Sequence, residues 1–245
     1  MATVKLVIAF FLSLFQILTP VAAMVVNFGE SNFFSKWSVN EKFTTDYCAE
    51  IEKNPDEDFV ILNLADVQLK DDLVFKEQGE KTKEMIDNLV KETKPDLITL
   101  TGDNAWGTVA YINLVKQIDA YGIPWAPVWG NHDYEKAAVN QGAVEEFAKR
   151  PLCLFEAGDP DLGCGNYTLS IQENGRTVAG LIMADTHKNA TFMDENGIET
   201  GTWGRLYPNQ LDWIRQQGKL LGTASALIQH IPIFGYQEVF RAAFR

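Results

Sequence analysis

The sequence predicts an α/β protein, and three observations carry that expectation. Apolar runs of strand length recur at residues 59–65, 97–101, 124–129 and 226–229. The stretches between the first three place apolar residues at i, i+3 and i+4, the helical period. Each run also ends in a polar cluster: Asp66-Val67-Gln68, Gly102-Asp103-Asn104, Gly130-Asn131-His132-Asp133 and His230-Ile231-Pro232. Strand and helix in alternation make a sheet with crossover helices, and such sheets place their ligands beyond the carboxyl ends of the strands.

Taken in order, the chain begins with Lys5, an apolar run over 6–18 and the small-residue end Pro20-Val21-Ala22-Ala23. This reads as an export signal over 1–23 cleaved after Ala23, because the run falls short of the about twenty apolar residues a membrane span needs. The expected product is one secreted or extracytoplasmic domain, 24–245, without stable membrane association. Residues 25–58 are mixed, with Phe33, Phe34, Trp37 and Phe43 spaced irregularly, and read as a strand or lid packed across the core. Met85, Ile86, Leu89 and Val90 mark a helix over 84–94; Val109, Ile112, Val115 and Ile118 mark a second, stopped by Gly122 and Pro124; 135–149 is a third. Two β-prone runs, 167–172 and 177–184, meet through Asn174-Gly175, a favoured hairpin turn, so part of the sheet structure is antiparallel. Pro208 starts a helix over 207–221 with Leu211, Ile214 and Leu220 toward the core.

The formal charge of −12 repels polyanions at long range, and no basic patch is visible, so no nucleic-acid partner is expected. Cys153 and Cys164 flank a Gly/Asp/Pro-rich loop that a disulfide could close, leaving Cys48 over; three reduced thiols are the other reading. Asn166-Tyr167-Thr168 and Asn189-Ala190-Thr191 are glycosylation sequons. At the four polar clusters, Asp and Asn oxygens mixed with imidazole nitrogen suit Mn, Fe or Zn more than calcium or a thiolate zinc site.

The ordered set Asp66-x-Gln68, Gly102-Asp103-Asn104, Gly130-Asn131-His132-Asp133 and His230 resembles the calcineurin-like metallophosphoesterases. Their pattern is Asp-x-His, Gly-Asp-x, Gly-Asn-His-Asp/Glu, a later His and a final Gly-His-x-His. The segment Gln229-His230-Ile231-Pro232 and the stretch Leu211-Asp212-Trp213 look most like the branch related to purple acid phosphatases, and the likeness runs from about residue 59 to 234. It implies a four-layer αββα sandwich of two mixed sheets flanked by helices, incomplete at the carboxyl end.

The resemblance also implies two metal ions. Asp66 belongs to the first site, with Gln68 standing in the histidine position; Asn131 and His230 belong to the second; Asp103 bridges. A hydroxide generated between the metals would attack the phosphorus of a small phosphomonoester, His132 would stabilise the transition state or protonate the leaving oxygen, and Asp133 would orient His132. A phosphodiesterase of the same fold, or a catalytically impaired metal- or ligand-binding relative, are the alternatives. Three departures stand out. Gln68 is a neutral, weaker donor than the expected imidazole. No Gly-His-x-His occurs, the only histidines being His132, His187 and His230, so each site lacks one imidazole and the chain reads as a fragment. Trp106 occupies the place of the tyrosine that colours purple members. Asp185-Thr186-His187 copies the Asp-x-His spacing and is read as pocket rim or as a stand-in imidazole, while Trp106, Trp203 and Tyr207 are candidates for the substrate mouth.

Overall fold

Two sheets form because the strands over 59–65, 97–101, 125–128 and 167–173 bury residues on both faces, which leaves no stable place for them but between other layers. The computed structural model describes residues 4–10, 48–70, 74–134, 137–193 and 196–233. Its elements in order are β1 (Val4–Phe10), β2 (Cys48–Glu52), β3 (Phe59–Ala65), α1 (Lys76–Thr93), β4 (Leu97–Thr101), α2 (Thr108–Ala120), β5 (Trp125–Val128), α3 (Ala137–Ala148), a 3-10 turn (Pro160–Leu162), β6 (Tyr167–Glu173), β7 (Arg176–Met183), β8 (Asn189–Met193), β9 (Glu199–Trp203), α4 (Pro208–Leu221) and β10 (Ser225–Ile228).

The first sheet has the order β1-β3-β4-β5 and every pairing in it is parallel. Parallel strands are covered on both sides, which is why β3, β4 and β5 read as continuous apolar runs. The second sheet, β10-β7-β6-β2, is mixed: β6 and β7 form the antiparallel hairpin expected from Asn174-Gly175, while β2 and β10 join in parallel at the two edges. The sequence led to two mixed sheets; among the described strands only the second is mixed. A separate two-stranded ribbon, β8-β9, stands outside both.

Three apolar clusters give the layer order. Leu62, Leu64, Ile98, Leu100 and Trp125 of the first sheet pack with Ile86 and Val90 of α1, Tyr111 and Leu114 of α2, and Phe147 of α3. The opposite face of the same strands, Phe59, Ile61, Leu97 and Val128, packs against Tyr167, Leu169, Ile171, Leu181 and Met183 of the second sheet. Beyond that sheet, Ile182 meets Trp213 of α4. Helices, sheet, sheet, helix is the αββα order.

Several local expectations shift. In α4 the buried residues are Gln210, Trp213 and Gln217, whereas Leu211 and Leu220 are exposed. The helix turns its polar side chains inward because Gln210 completes a buried hydrogen-bond network described below. Val109 is likewise exposed, whereas Val115 and Ile118 lie on the inner face of α2 as expected, together with Ala110, Tyr111 and Leu114. All three cysteines are free thiols, so the Cys153–Cys164 ring is not formed; burial pushes both of those thiols far above their ordinary range. The expected cleavage position after Ala23, and Phe33, Phe34, Trp37 and Phe43, lie outside the described residues. β1 falls within the segment read as an export signal, and a strand of the sheet and a removed leader are mutually exclusive uses of the same residues. No helix among the described residues is long and apolar enough to cross a membrane.

Candidate metal centre

At the carboxyl end of the first sheet the loops after β3 and β4 continue side by side past the last strand pair. Asp66 N–H donates to Gly102 O at 3.1 Å, Gln68 N–H to Asp103 O at 2.8 Å, Leu69 N–H to Asn104 O at 3.1 Å, and Trp106 N–H returns to Leu69 O at 2.9 Å. This ladder holds Asp66, Gln68 and Asp103 in left-handed backbone conformations, with φ of 54°, 44° and 52°. Such φ values cost of order 1–3 kcal/mol at non-glycine residues and persist where the surroundings impose them. They turn the side chains of Asp66 and Asp103 into the same space.

The loop after β5 and the one after β10 close that space. Gly102 and Gly130 are where the approach is tightest. A Cβ on Gly130 would lie 2.2 Å from Asp103 N and Oδ1, and one on Gly102, whose φ is +81°, would lie 2.6 Å from the His230 ring. Neither position tolerates a side chain, which gives the two glycines of the motif blocks a steric reason. His132 N–H then donates to Asp103 Oδ1 at 2.9 Å, and His230 reaches across from the second sheet.

Ligand atoms of Asp66, Asp103 and His230 all lie within 4.8 Å of one another. The hydrogen bonding of His230 says what belongs among them. Its Nδ1 is 2.9 Å from Thr101 O, and a carbonyl only accepts, so Nδ1 carries the proton. In a neutral ring Nε2 then presents a lone pair, yet it points at Asn131 Oδ1 at 3.2 Å and Asp103 Oδ1 at 3.4 Å. Three acceptors facing one another repel unless a proton or a metal cation lies between them. A backbone carbonyl fixing the far nitrogen is the usual arrangement of a metal-ligating histidine. Burial also raises the Asp66 carboxyl above its ordinary pKa, with the Asp103 carboxylate adding to the effect and His230 and His132 opposing it. A cation there would relieve both strains, so the donor set fits a hard or borderline metal.

The remaining site residues divide. Gln68 sits at the first position's edge, with Nε2 3.4 Å from Asp103 Oδ2. The His132 ring is one-third exposed, its Nε2 3.9 Å from Asp103 Oδ2, and it faces the open side of the site. Asp133 departs from expectation. Its oxygens accept from Gly130 N–H at 2.8 Å, Asn104 N–H at 3.0 Å and Asn104 Nδ2 at 3.2 Å, so it staples the two glycine loops together in place of orienting the His132 imidazole. Full burial drives its pKa up to about 6 against the lowering effect of the Tyr111 and Gly130 bonds. Sequence reasoning placed Asn104 in the motif block without a role of its own and missed Tyr111; the Asn104 amide and the Tyr111 hydroxyl complete this staple.

Asp185-Thr186-His187 lies apart from the centre. Asp185 Oδ2 accepts from Tyr134 OH at 2.6 Å and Cys164 N–H at 3.0 Å, and Oδ1 accepts from His187 N–H at 2.8 Å. His187 Nε2 meets Gln210 Oε1 at 3.0 Å, and Gln210 Nε2 donates to Asn166 Oδ1 and Asp185 O. His187 is thus engaged in the fold and supplies no imidazole to the metal site. Of the two sequons, Asn166 is buried with both amide atoms engaged, since Nδ2 donates to Leu162 O at 2.9 Å, whereas Asn189 is exposed.

Comparison with known proteins agrees with this geometry. The family model for calcineurin-like phosphoesterases matches residues 59–241. Phosphatase DCR2 of Saccharomyces cerevisiae is 30% identical over 151 residues, 56% of this chain and 24% of that protein. Two Arabidopsis thaliana proteins, probable inactive purple acid phosphatases 14 and 28, are 31% and 28% identical over 104 and 195 residues, covering 37% and 66% of this chain and 26% and 48% of their own lengths. The chain therefore spans less than half the length of these curated relatives. No solved structure matches. With the motif blocks meeting at one strand-end cluster inside an αββα fold, and the family match covering most of the chain, this protein belongs to the calcineurin-like phosphoesterase family.

Proposed function

We propose that the chain is the catalytic domain of a secreted, metal-dependent phosphoesterase that hydrolyses small phosphomonoesters with a pair of Mn, Fe or Zn ions. The observation that carries the reading is the convergence of ligand atoms: Asp66, Asp103 and His230 lie within 4.8 Å of one another, and His230 Nε2 faces Asn131 Oδ1 and Asp103 Oδ1. Asp66 with Gln68 would hold one metal, Asn131 with His230 the other, and Asp103 both. When bound, the metals supply Lewis acidity that polarises the phosphoryl group and acidifies the attacking water. The rest falls to the chain. Asp103 is fixed by the His132 backbone N–H and cannot swing away, and the His132 ring, exposed on the open side, donates a proton to the leaving oxygen as the P–O bond breaks.

The test is elemental analysis of the purified protein beside hydrolysis of a generic aryl phosphate, with and without added Mn, repeated on Asp103→Asn. About two metals per chain, and turnover reduced at least about 10³-fold in the variant, is the expected outcome. Absence of both metal and turnover would sink the reading. A second reading, a metal- or ligand-binding relative of impaired activity, is favoured by Gln68 and by similarity to proteins named as probably inactive; metal bound without turnover is its outcome. Export is tested by the amino-terminal residue of the mature chain: Met24 is expected and leaves the first sheet as β3, β4 and β5, whereas a chain still starting at Met1 keeps β1 in the sheet and overturns export.

A further inference from the structure

The structure places two tryptophan side chains against the His132 imidazole. Trp106, on the loop after β4, lies against the His132 ring with centroids 5.4 Å apart and planes at 30°. Trp203, at the end of β9, presents its ring edgewise at 6.4 Å and 61°. Both indoles are open to solvent, 37% and 57% exposed, an unusual disposition for two tryptophans that are not needed to close the core. Each is held in place. The backbone N–H of Trp106 is tied to Leu69 O, and the Lys70 ammonium sits 5.0 Å from the centroids of both Trp106 and Phe75, a cation–π contact that fixes the indole at the rim. The β8-β9 ribbon that carries Trp203 is anchored through Gly204, whose N–H donates to Lys188 O and where a Cβ would lie 2.0 Å from Thr186 O. Trp203 also walls an open groove of about 570 Å³ along that ribbon, together with Asn189, Ala190, Thr191 and Gly201.

We infer that Trp106, Trp203 and this groove form a leaving-group subsite selective for phosphoesters whose leaving alcohol carries a flat π-system. The inference rests on the phosphoesterase reading for its polarity: the leaving oxygen lies at His132, so what the oxygen carries lies against the two indoles. A flat ring placed there gains stacking on Trp203 and Trp106 that an aliphatic chain of equal charge does not. Aryl groups and nucleobases share this chemistry.

The experiment measures dissociation constants on the full chain loaded with Mn, by isothermal titration calorimetry. The probes are non-hydrolysable: methylphosphonate, benzylphosphonate and a nucleoside 5′-phosphonate. Benzylphosphonate is expected to bind about tenfold tighter than methylphosphonate or better. Trp203→Ala and Trp106→Ala should each pull that ratio to about threefold, their combination to near one, and Trp203→Phe should keep most of it. Stronger preference for the nucleoside phosphonate than for benzylphosphonate assigns the groove to a nucleobase, and the reverse order assigns it to an aryl group; either supports the subsite. Equal binding of flat and aliphatic probes, or a preference that survives the double variant with an unchanged melting temperature, overturns it. Turnover of the aryl phosphate is read separately. A retained aryl preference without turnover leaves the subsite standing and removes the phosphoesterase, while turnover without preference does the opposite.

Discussion

Residues 66–68 and 185–187 both read Asp-x-His or its amide variant, both follow a strand, and both contain left-handed residues, yet the chain uses them oppositely. Around Asp185 every partner is complementary: a tyrosine hydroxyl, two backbone N–H groups and a glutamine that donates and accepts at once. Around Asp66 the neighbours are other acceptors, Asp103 and the lone-pair side of His230. Saturated polar clusters rigidify a fold, and clusters whose members repel are waiting for a cation. Residue type does not separate the two cases; the sign of the neighbours does.

The comparison breaks most visibly under one substitution made at both places. Asp185→Asn puts an NH2 donor where three donors converge, so at least one of them loses its acceptor, and the loss is expected to cost about 2–3 kcal/mol in urea denaturation. Asp66→Asn keeps a side chain that tolerates positive φ and removes a repelling charge, so in the presence of chelator its stability should be unchanged or up by about 0.5 kcal/mol. If both variants lose the same stability, the distinction between the two clusters fails.

Gln68→His makes the two motifs alike in type and sharpens the contrast of surroundings. Chelator competition should show metal affinity rising about tenfold. The matching change His187→Gln should leave metal affinity untouched, since His187 bonds to Gln210 and lies apart from the centre.

The smallest effect concerns a saturated pair near the surface. Tyr121 OH donates to Asp87 between α2 and α1 and holds the Asp87 carboxyl below its ordinary pKa of 3.8, with burial opposing. A carboxyl with a lowered folded pKa stabilises above its unfolded value and loses that contribution as pH falls through the folded one. Tyr121→Phe should therefore be less stable than the parent by about 0.5 kcal/mol at pH 6, screening keeping the figure small, with the gap closing below about pH 3.8. A gap independent of pH would assign the loss to packing.

By itself the sequence determined the runs of β3, β4 and β5, the hairpin at Asn174-Gly175 and the family blocks, because these are local: apolar period, turn chemistry, and glycines followed by polar residues; β1 it read as a leader. It also brought Asp66, Asp103, Asn131, His132 and His230 into one set. Tertiary structure alone decided what depends on contacts distant in the chain. That includes the inward Gln210, the outward Leu211 and Leu220, the ribbon of β8 and β9, and Asp133 serving Gly130 and Asn104 in place of His132. It includes His187 as well, whose spacing marks a ligand and whose partners, 2 and 23 residues away, hold it in the fold. Periodicity reports which side of a segment is apolar, whereas the use of a buried polar group is set by the donors and acceptors that folding brings to it.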